Sequence, residues 1–195
     1  MENDNIHILR LLVKTIENLS VSSTSIDVLV WPLIKVFHHR DKFFTFFDMI
    51  VEKEVRGCLE AGILFRKNSL VSKIFMRYVR EVCGDYLKDT LVPIIEYITQ
   101  SEDSFELDPT RIGEDEDVEK NQNSLIEVSK TLLEKLLDSV DNLHLGIRHC
   151  FYIIRNRVIE KFPKSVNICV GGFYFLRMIC PIVAGGNFTT IGVGS

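Results

Sequence analysis

"VNICVGGFYFLRMICPIVA", residues 166 to 184, admits three structures, and the choice among them settles the fold class. Its β-branched and aromatic residues suit a strand. Its apolar length suits a membrane span. A helix buried in a protein core accounts for the same residues. Arg177, Pro181 and the pair Gly171 and Gly172 argue against the span, since an arginine at the centre of a spanning helix costs roughly 2.5–3.5 kcal/mol on insertion scales. Periodicity does not separate strand from helix over so short a run, so the neighbouring segments arbitrate. They are helical, and the stretch is read as a buried helix of an all-α chain.

Those neighbours carry apolar residues at helical spacing. "LGIRHCFYIIRNRVIEKF" (145–162) and "VEKNQNSLIEVSKTLLEKLLDSV" (118–140) each predict a helix. Further back, "YLKDTLVPIIEYI" continues the pattern around Pro93 after Gly84 interrupts it. Val71, Ile74, Phe75, Tyr78, Val79 and Val82 share one stripe, with Asn68 and Ser69 as candidate caps. Helical patterns also run from Ile26 to Phe37 and from Asp41 to Leu59. In the second, Phe43, Phe44, Phe46 and Phe47 offer more apolar surface than one face can hold, which predicts burial on two sides. Ile6, Leu9, Leu12, Val13, Ile16 and Leu19 predict a short first helix, and "SVSSTS" (20–25) a linker. Residues 102–117 read as a solvated acidic loop, and "AGGNFTTIGVGS" (184–195) as an irregular tail. The organisation expected is an N-terminal helix and linker (1–25), a helical domain (26–183) and the tail (184–195).

Composition agrees with a globular chain long enough to bury a core: 195 residues, 46% hydrophobic and 26% charged. The formal net charge of −4 is unevenly spread. Residues 102–119 hold nine acids and one base, leaving an excess of positive charge on everything else. Five cysteines, odd in number and without a C-x-x-C pair, fit reduced and mostly buried thiols rather than a disulfide framework or a zinc ribbon. The polar, acidic start "MENDNIHILR" lacks the basic and apolar regions of a secretory signal, so a cytoplasmic protein is expected.

Residue clusters capable of chemistry are few. His38 and His39 are adjacent and leave a helix on different sides, and His144 and His149 lack convincing zinc spacing, so no metal site is expected. His149 next to Cys150 is a sequence neighbour on one helix, which does not make a nucleophile and its base. There is no glycine-rich phosphate loop, and Gly171 and Gly172 lack the strand and helix of a dinucleotide site. Basic residues do not gather into a stripe with interleaved aromatics, so nucleic acid is not an expected partner.

One segment departs from this pattern of core and solvated faces. "AGILFRKNSLVSK" (61–73) ends an apolar run on Arg66 just ahead of a helix start, placing five fixed guanidinium donors in a loop. "LFRKNSLVSKI" (64–74) and "GFYFLRMICPIV" (172–183) together resemble the finger-loop and F-L-R signatures of Ras GTPase-activating proteins. Between them "SFELDPTRI" (104–112) and "NQNSL" (121–125) fall in the matching order and look most like the neurofibromin-type branch. "LIKVFHHRDKFFTFFDMIVEKEV" (33–55) resembles the helices before the finger. Coverage runs from about Ile26 to Val183.

The resemblance implies a helical activator domain that binds a GTP-loaded Ras-family small GTPase and acts in trans, with no reaction of its own. Arg66 matches the arginine that such proteins insert into the GTP site, and Arg177 matches the arginine of F-L-R, which braces the finger loop through its backbone. Leu64, Phe65, Lys67, Asn68, Ser69, Phe175 and Leu176 match positions next to the bound GTPase. GTP and Mg²⁺ would belong to the partner, leaving this chain without a cofactor. A monomer is implied, cytoplasmic or peripheral at membranes where Ras is anchored. The surface that Ras offers its activators is acidic, which suits the positive remainder of this chain. Lys67, Ile63 and Ile182 stand where the family more usually has a small residue or glutamate, threonine, and alanine. The family also continues through further helices, including a lysine-bearing one, past the point where this sequence stops. A C-terminally truncated domain is therefore expected, and the alternative is a non-catalytic module that holds the GTPase without accelerating hydrolysis.

Overall fold

A computed structural model describes residues 11, 13–15, 23–113 and 115–185. Most of the expected first helix, part of the linker and the tail from residue 186 lie outside the described residues. Every regular element among those described is helical. In chain order they are α1 (Ser23–His39), α2 (Phe43–Gly57), α3 (Leu70–Val82), α4 (Gly84–Gln100), α5 (Val118–Asp138), α6 (Leu145–Lys161), α7 (Val166–Tyr174) and α8 (Cys180–Gly185). Helix α1 begins inside the expected linker, and residues 184 and 185, expected in the tail, are still helical.

The chain divides into two compact units, one built from residues up to Val82 together with His144–Pro181, the other from Cys83–Leu143 and the chain from Ile182. In the first unit α2 packs against α1, α3 and α6. Its Phe43, Phe46, Phe47, Ile50, Val51 and Val55 are all buried, a stripe wide enough to face several neighbours. Helix α3 answers with Leu70, Val71, Ile74, Phe75, Tyr78 and Val79, and α6 with Ile147, Cys150, Ile153, Ile154 and Val158. Each such side chain is worth about 1.5–3 kcal/mol relative to exposure. Rings carry much of the contact: Phe75 lies 4.8 Å from Phe173 and 5.3 Å from Phe151 by centroids, in tilted and edge-on arrangements that aromatic pairs favour. At the rim Arg157 of α6 grips Asp48 of α2 with a two-bond fork, Nε to Oδ1 at 2.7 Å and Nη2 to Oδ2 at 2.5 Å.

The second unit pairs α4 with α5. Asp117 caps α5 by accepting from the Glu119 and Lys120 amides. The acidic connection before it is irregular, and it is ordered locally. Asp108 Oδ1 accepts from the Thr110 amide and hydroxyl, which holds that carboxyl below its ordinary pKa. The buried Asn121 donates to Glu106 O at 3.0 Å.

The opening stretch is helical, with two corrections to the expected buried helix. Its burial is one-sided: Cys169, Phe173, Met178 and Ile179 are buried, whereas Ile168 is 73% and Leu176 48% exposed. Pro163–Gly185 is long and apolar enough to cross a membrane by length and composition alone, and 28% of an 18-residue apolar stretch within it is buried. It is also not a plain α-helix, because Phe175–Ile179 forms a π-helical turn in which the Cys180 amide reaches back to Phe175 O. Pro181 gives the physical reason. It has no N–H to donate and its ring crowds the carbonyl four residues back, and a widened turn there relieves both demands.

Candidate functional site

Loop 58–69 joins α2 to α3 in the first unit, and its backbone is gripped repeatedly from the α6–α7 side. A short 3₁₀ turn, Ala61–Ile63, opens it. The chain then turns sharply at Phe65, which has φ 60°, a left-handed conformation that an aromatic residue rarely adopts. Burial of the ring holds it there: Phe65 is 3% exposed and meets Phe173 at 5.0 Å, edge to face. Leu64 is 5% exposed. Both residues were expected beside the partner. In the structure their side chains pack beneath the loop, while Ile63 just before them is 49% exposed.

Arg66 and Lys67, carried on this anchored turn, are exposed. The Arg66 amide donates to Ile63 O, closing the turn, while its side chain makes no hydrogen bond or ion pair with the described residues. Asn68 was a candidate cap for α3; its Oδ1 instead accepts from Arg177. Ser69 does the capping, its Oγ accepting from the Ser72 amide at 3.3 Å.

Arg177 sits in the π-helical turn and uses every side of its guanidinium on the loop. Nε donates to Phe65 O at 2.9 Å, Nη2 to Lys67 O at 2.8 Å and Nη1 to Asn68 Oδ1 at 2.9 Å. A planar fork with fixed donors can satisfy three acceptors spread over four residues, which a lysine cannot. Leu176 and Arg177 also border an open groove of about 1190 Å³ along loop 58–69 and α3. Phe175, 38% exposed, packs edge-on against Tyr174 and is not among that groove's lining.

Sequence reasoning missed the contacts at the start of the loop. Lys161 Nζ donates to Arg56 O at 2.7 Å and to Cys58 O at 2.6 Å. The Cys169 thiol lies 3.6 Å from Ala61 O, and burial pushes its pKa up. The signal available for Lys161 was a basic residue in the last turn of a helix, which suggests a cap for that helix and says nothing of another one. His144, weighed above as a ligand, caps α6 by accepting the Gly146 amide at 3.1 Å. His149 packs against Phe44. No group of three candidate metal ligands occurs among the described residues.

A profile of the family described as GTPase-activator protein for Ras-like GTPase matches residues 46–117 and 113–191. The chain belongs to this RasGAP family. The match covers both halves of the site, since it includes the loop that presents Arg66 and the π-helical turn that holds Arg177. The chain is 29% identical over 186 residues, 94% of its length, to the probable Ras GTPase-activating-like protein ngap of Dictyostelium discoideum. It is 30% identical over 157 residues, 79% of its length, to human Ras GTPase-activating protein 2. A GTPase-activating protein of Drosophila melanogaster is 24% identical over 191 residues. The chain spans about a fifth of the length of these relatives, 20% of the first and 18% of the second. The all-α architecture is that of a RasGAP domain.

Proposed function

We propose that this chain stimulates GTP hydrolysis by a Ras-family GTPase, with Arg66 as the group inserted into the partner's active site and Arg177 as the residue that holds the inserting loop. The observation that carries the reading is the contrast between the two arginines. The side chain of one is exposed and makes no hydrogen bond or ion pair with the described residues, and the other spends three hydrogen bonds on the backbone and Asn68 side chain around it. The resemblance of "SFELDPTRI" and "NQNSL" supports placing the chain on the neurofibromin-type branch.

Transfer of a phosphoryl group to water spreads charge over its oxygens and the leaving oxygen, so catalysis rests on placed positive charge and excluded water. GTP and Mg²⁺ are the partner's, and this chain contributes Arg66. A loop backbone ordered in advance is not frozen afresh at each encounter, which leaves only the Arg66 side chain to be placed and more binding energy for stabilising the transition state. An arginine finger is worth about 10³–10⁵ in rate in the Ras and activator system itself, and that range is carried over to this member of the same family. It corresponds to roughly 4–7 kcal/mol of barrier.

The test is single-turnover hydrolysis by a panel of GTP-loaded Ras-family GTPases, with the chain or its Arg66→Ala form added. Stimulation that drops by about 10³-fold or more in the variant is expected. Equal stimulation by both forms would overturn the assignment of Arg66. Binding to the GTP-loaded partner without stimulation by either form would leave a non-catalytic module.

A further inference from the structure

We propose that Lys161 is a second positioning residue of the loop, clamping its start as Arg177 clamps its end; the inference rests on the reading of Arg66 given above. Helix α2 ends at Gly57, and its last carbonyls have no helical partners. The Cys58 amide bonds back to Glu54 O and Val55 O, leaving Arg56 O and Cys58 O as the outermost acceptors. Lys161 Nζ takes both, at 2.7 and 2.6 Å. These distances are typical of a charged donor, and they lie at the negative end of the α2 dipole.

The geometry makes this more than a helix cap. Lys161 is the last residue of α6, where the Phe162 amide closes the final turn onto Val158 O and Pro163 stops the helix. The chain then passes through the short 3₁₀ turn Pro163–Ser165 directly into α7 and the π-helical turn. One continuous arm therefore holds the loop backbone at both ends: Lys161 on Arg56 O and Cys58 O, and Arg177 on Phe65 O and Lys67 O. Between the clamps the Cys169 thiol meets Ala61 O and the Phe173 ring meets Phe65. Gly57 and Gly62 carry no Cβ, which leaves the backbone more conformational freedom there than at other residues. A loop held at its end alone could pivot at those glycines and carry Arg66 with it. Clamped at both ends, it presents Arg66 at one place.

Lys161→Met keeps the aliphatic stem and removes the donors, and Lys161→Arg keeps charge and donors. With Lys161→Met the saturated single-turnover rate is expected to fall between about ten- and a hundredfold, the cost of a small misplacement of a reacting group. The half-saturating GTPase concentration should stay within about twofold of wild type, and Lys161→Arg should recover most of the rate. In the free chain, amide exchange in residues 58–66 should quicken by about tenfold in Lys161→Met while the buried faces of α2 and α6 keep their protection. A saturated rate equal to wild type, or exchange that rises across α2 and α6 together, would overturn the clamp and leave a helix cap. If the wild-type chain stimulates no GTPase, the function proposed above has failed, and local against global exchange still decides the clamp. If Lys161→Met does not fold, Lys161→Gln provides the same comparison with one amide donor of shorter reach.

Discussion

Phe65 holds φ 60° at the turn that presents Arg66, a conformation costing about 1–3 kcal/mol for a residue with a Cβ. Its buried ring and the Arg177 bond to its carbonyl offset that cost, so the strain is distributed between the core and the brace. Arg177→Met should therefore reduce stimulation by roughly ten- to a hundredfold while leaving a cooperative melt by circular dichroism. Arg177→Lys should not rescue it, because one ammonium cannot span Phe65 O, Lys67 O and Asn68 Oδ1 together. Full stimulation by either variant would remove Arg177 from the site. Both arginines were legible in the sequence through the motifs around them. The burial of Leu64 and Phe65 was not, since an apolar residue beside a loop arginine can face either way until a core is present to receive it.

At the scale of elements, helix positions followed from periodicity, while the joints between helices depended on atoms far apart in the chain. Gly146 shows this at the contact of α6 with α3. A Cβ there would meet the Tyr78 hydroxyl well inside contact distance, and Tyr78 cannot yield easily because its ring packs 4.2 Å from Phe43. Gly146→Ala is expected to cost about 1–3 kcal/mol, lowering the melting temperature by roughly 2–12 °C. Adding Tyr78→Phe should return part of that loss, and additive effects of the two changes would exclude the clash. The π-helical turn at Phe175–Ile179 is a second joint of this kind. Pro181 was visible in the sequence as an argument against a membrane span, but whether a proline breaks, kinks or widens its helix depends on which carbonyls find other donors.

For the whole molecule, charge distribution gives the remaining prediction. The net −4 is concentrated in residues 102–119, and the positive remainder is the part suited to an acidic partner surface. Raising salt from about 0.05 to about 0.2 M should increase the half-saturating GTPase concentration several-fold and leave the saturated rate within about twofold. A titration in which the saturated rate falls and half-saturation does not move would refute electrostatic docking. The sequence by itself determined the all-α class, the positions of the principal helices, the family, and Arg66 and Arg177 as the residues to test, because periodicity and short motifs are local properties that survive without a fold. The tertiary structure alone decided the one-sided burial of the 166–184 helix, the left-handed turn at Phe65, the diversion of Asn68 from cap to brace, and the grip of Lys161 on another helix's end. Each of these depends on groups that are distant in the chain, and no local pattern records which carbonyl a given cation will reach.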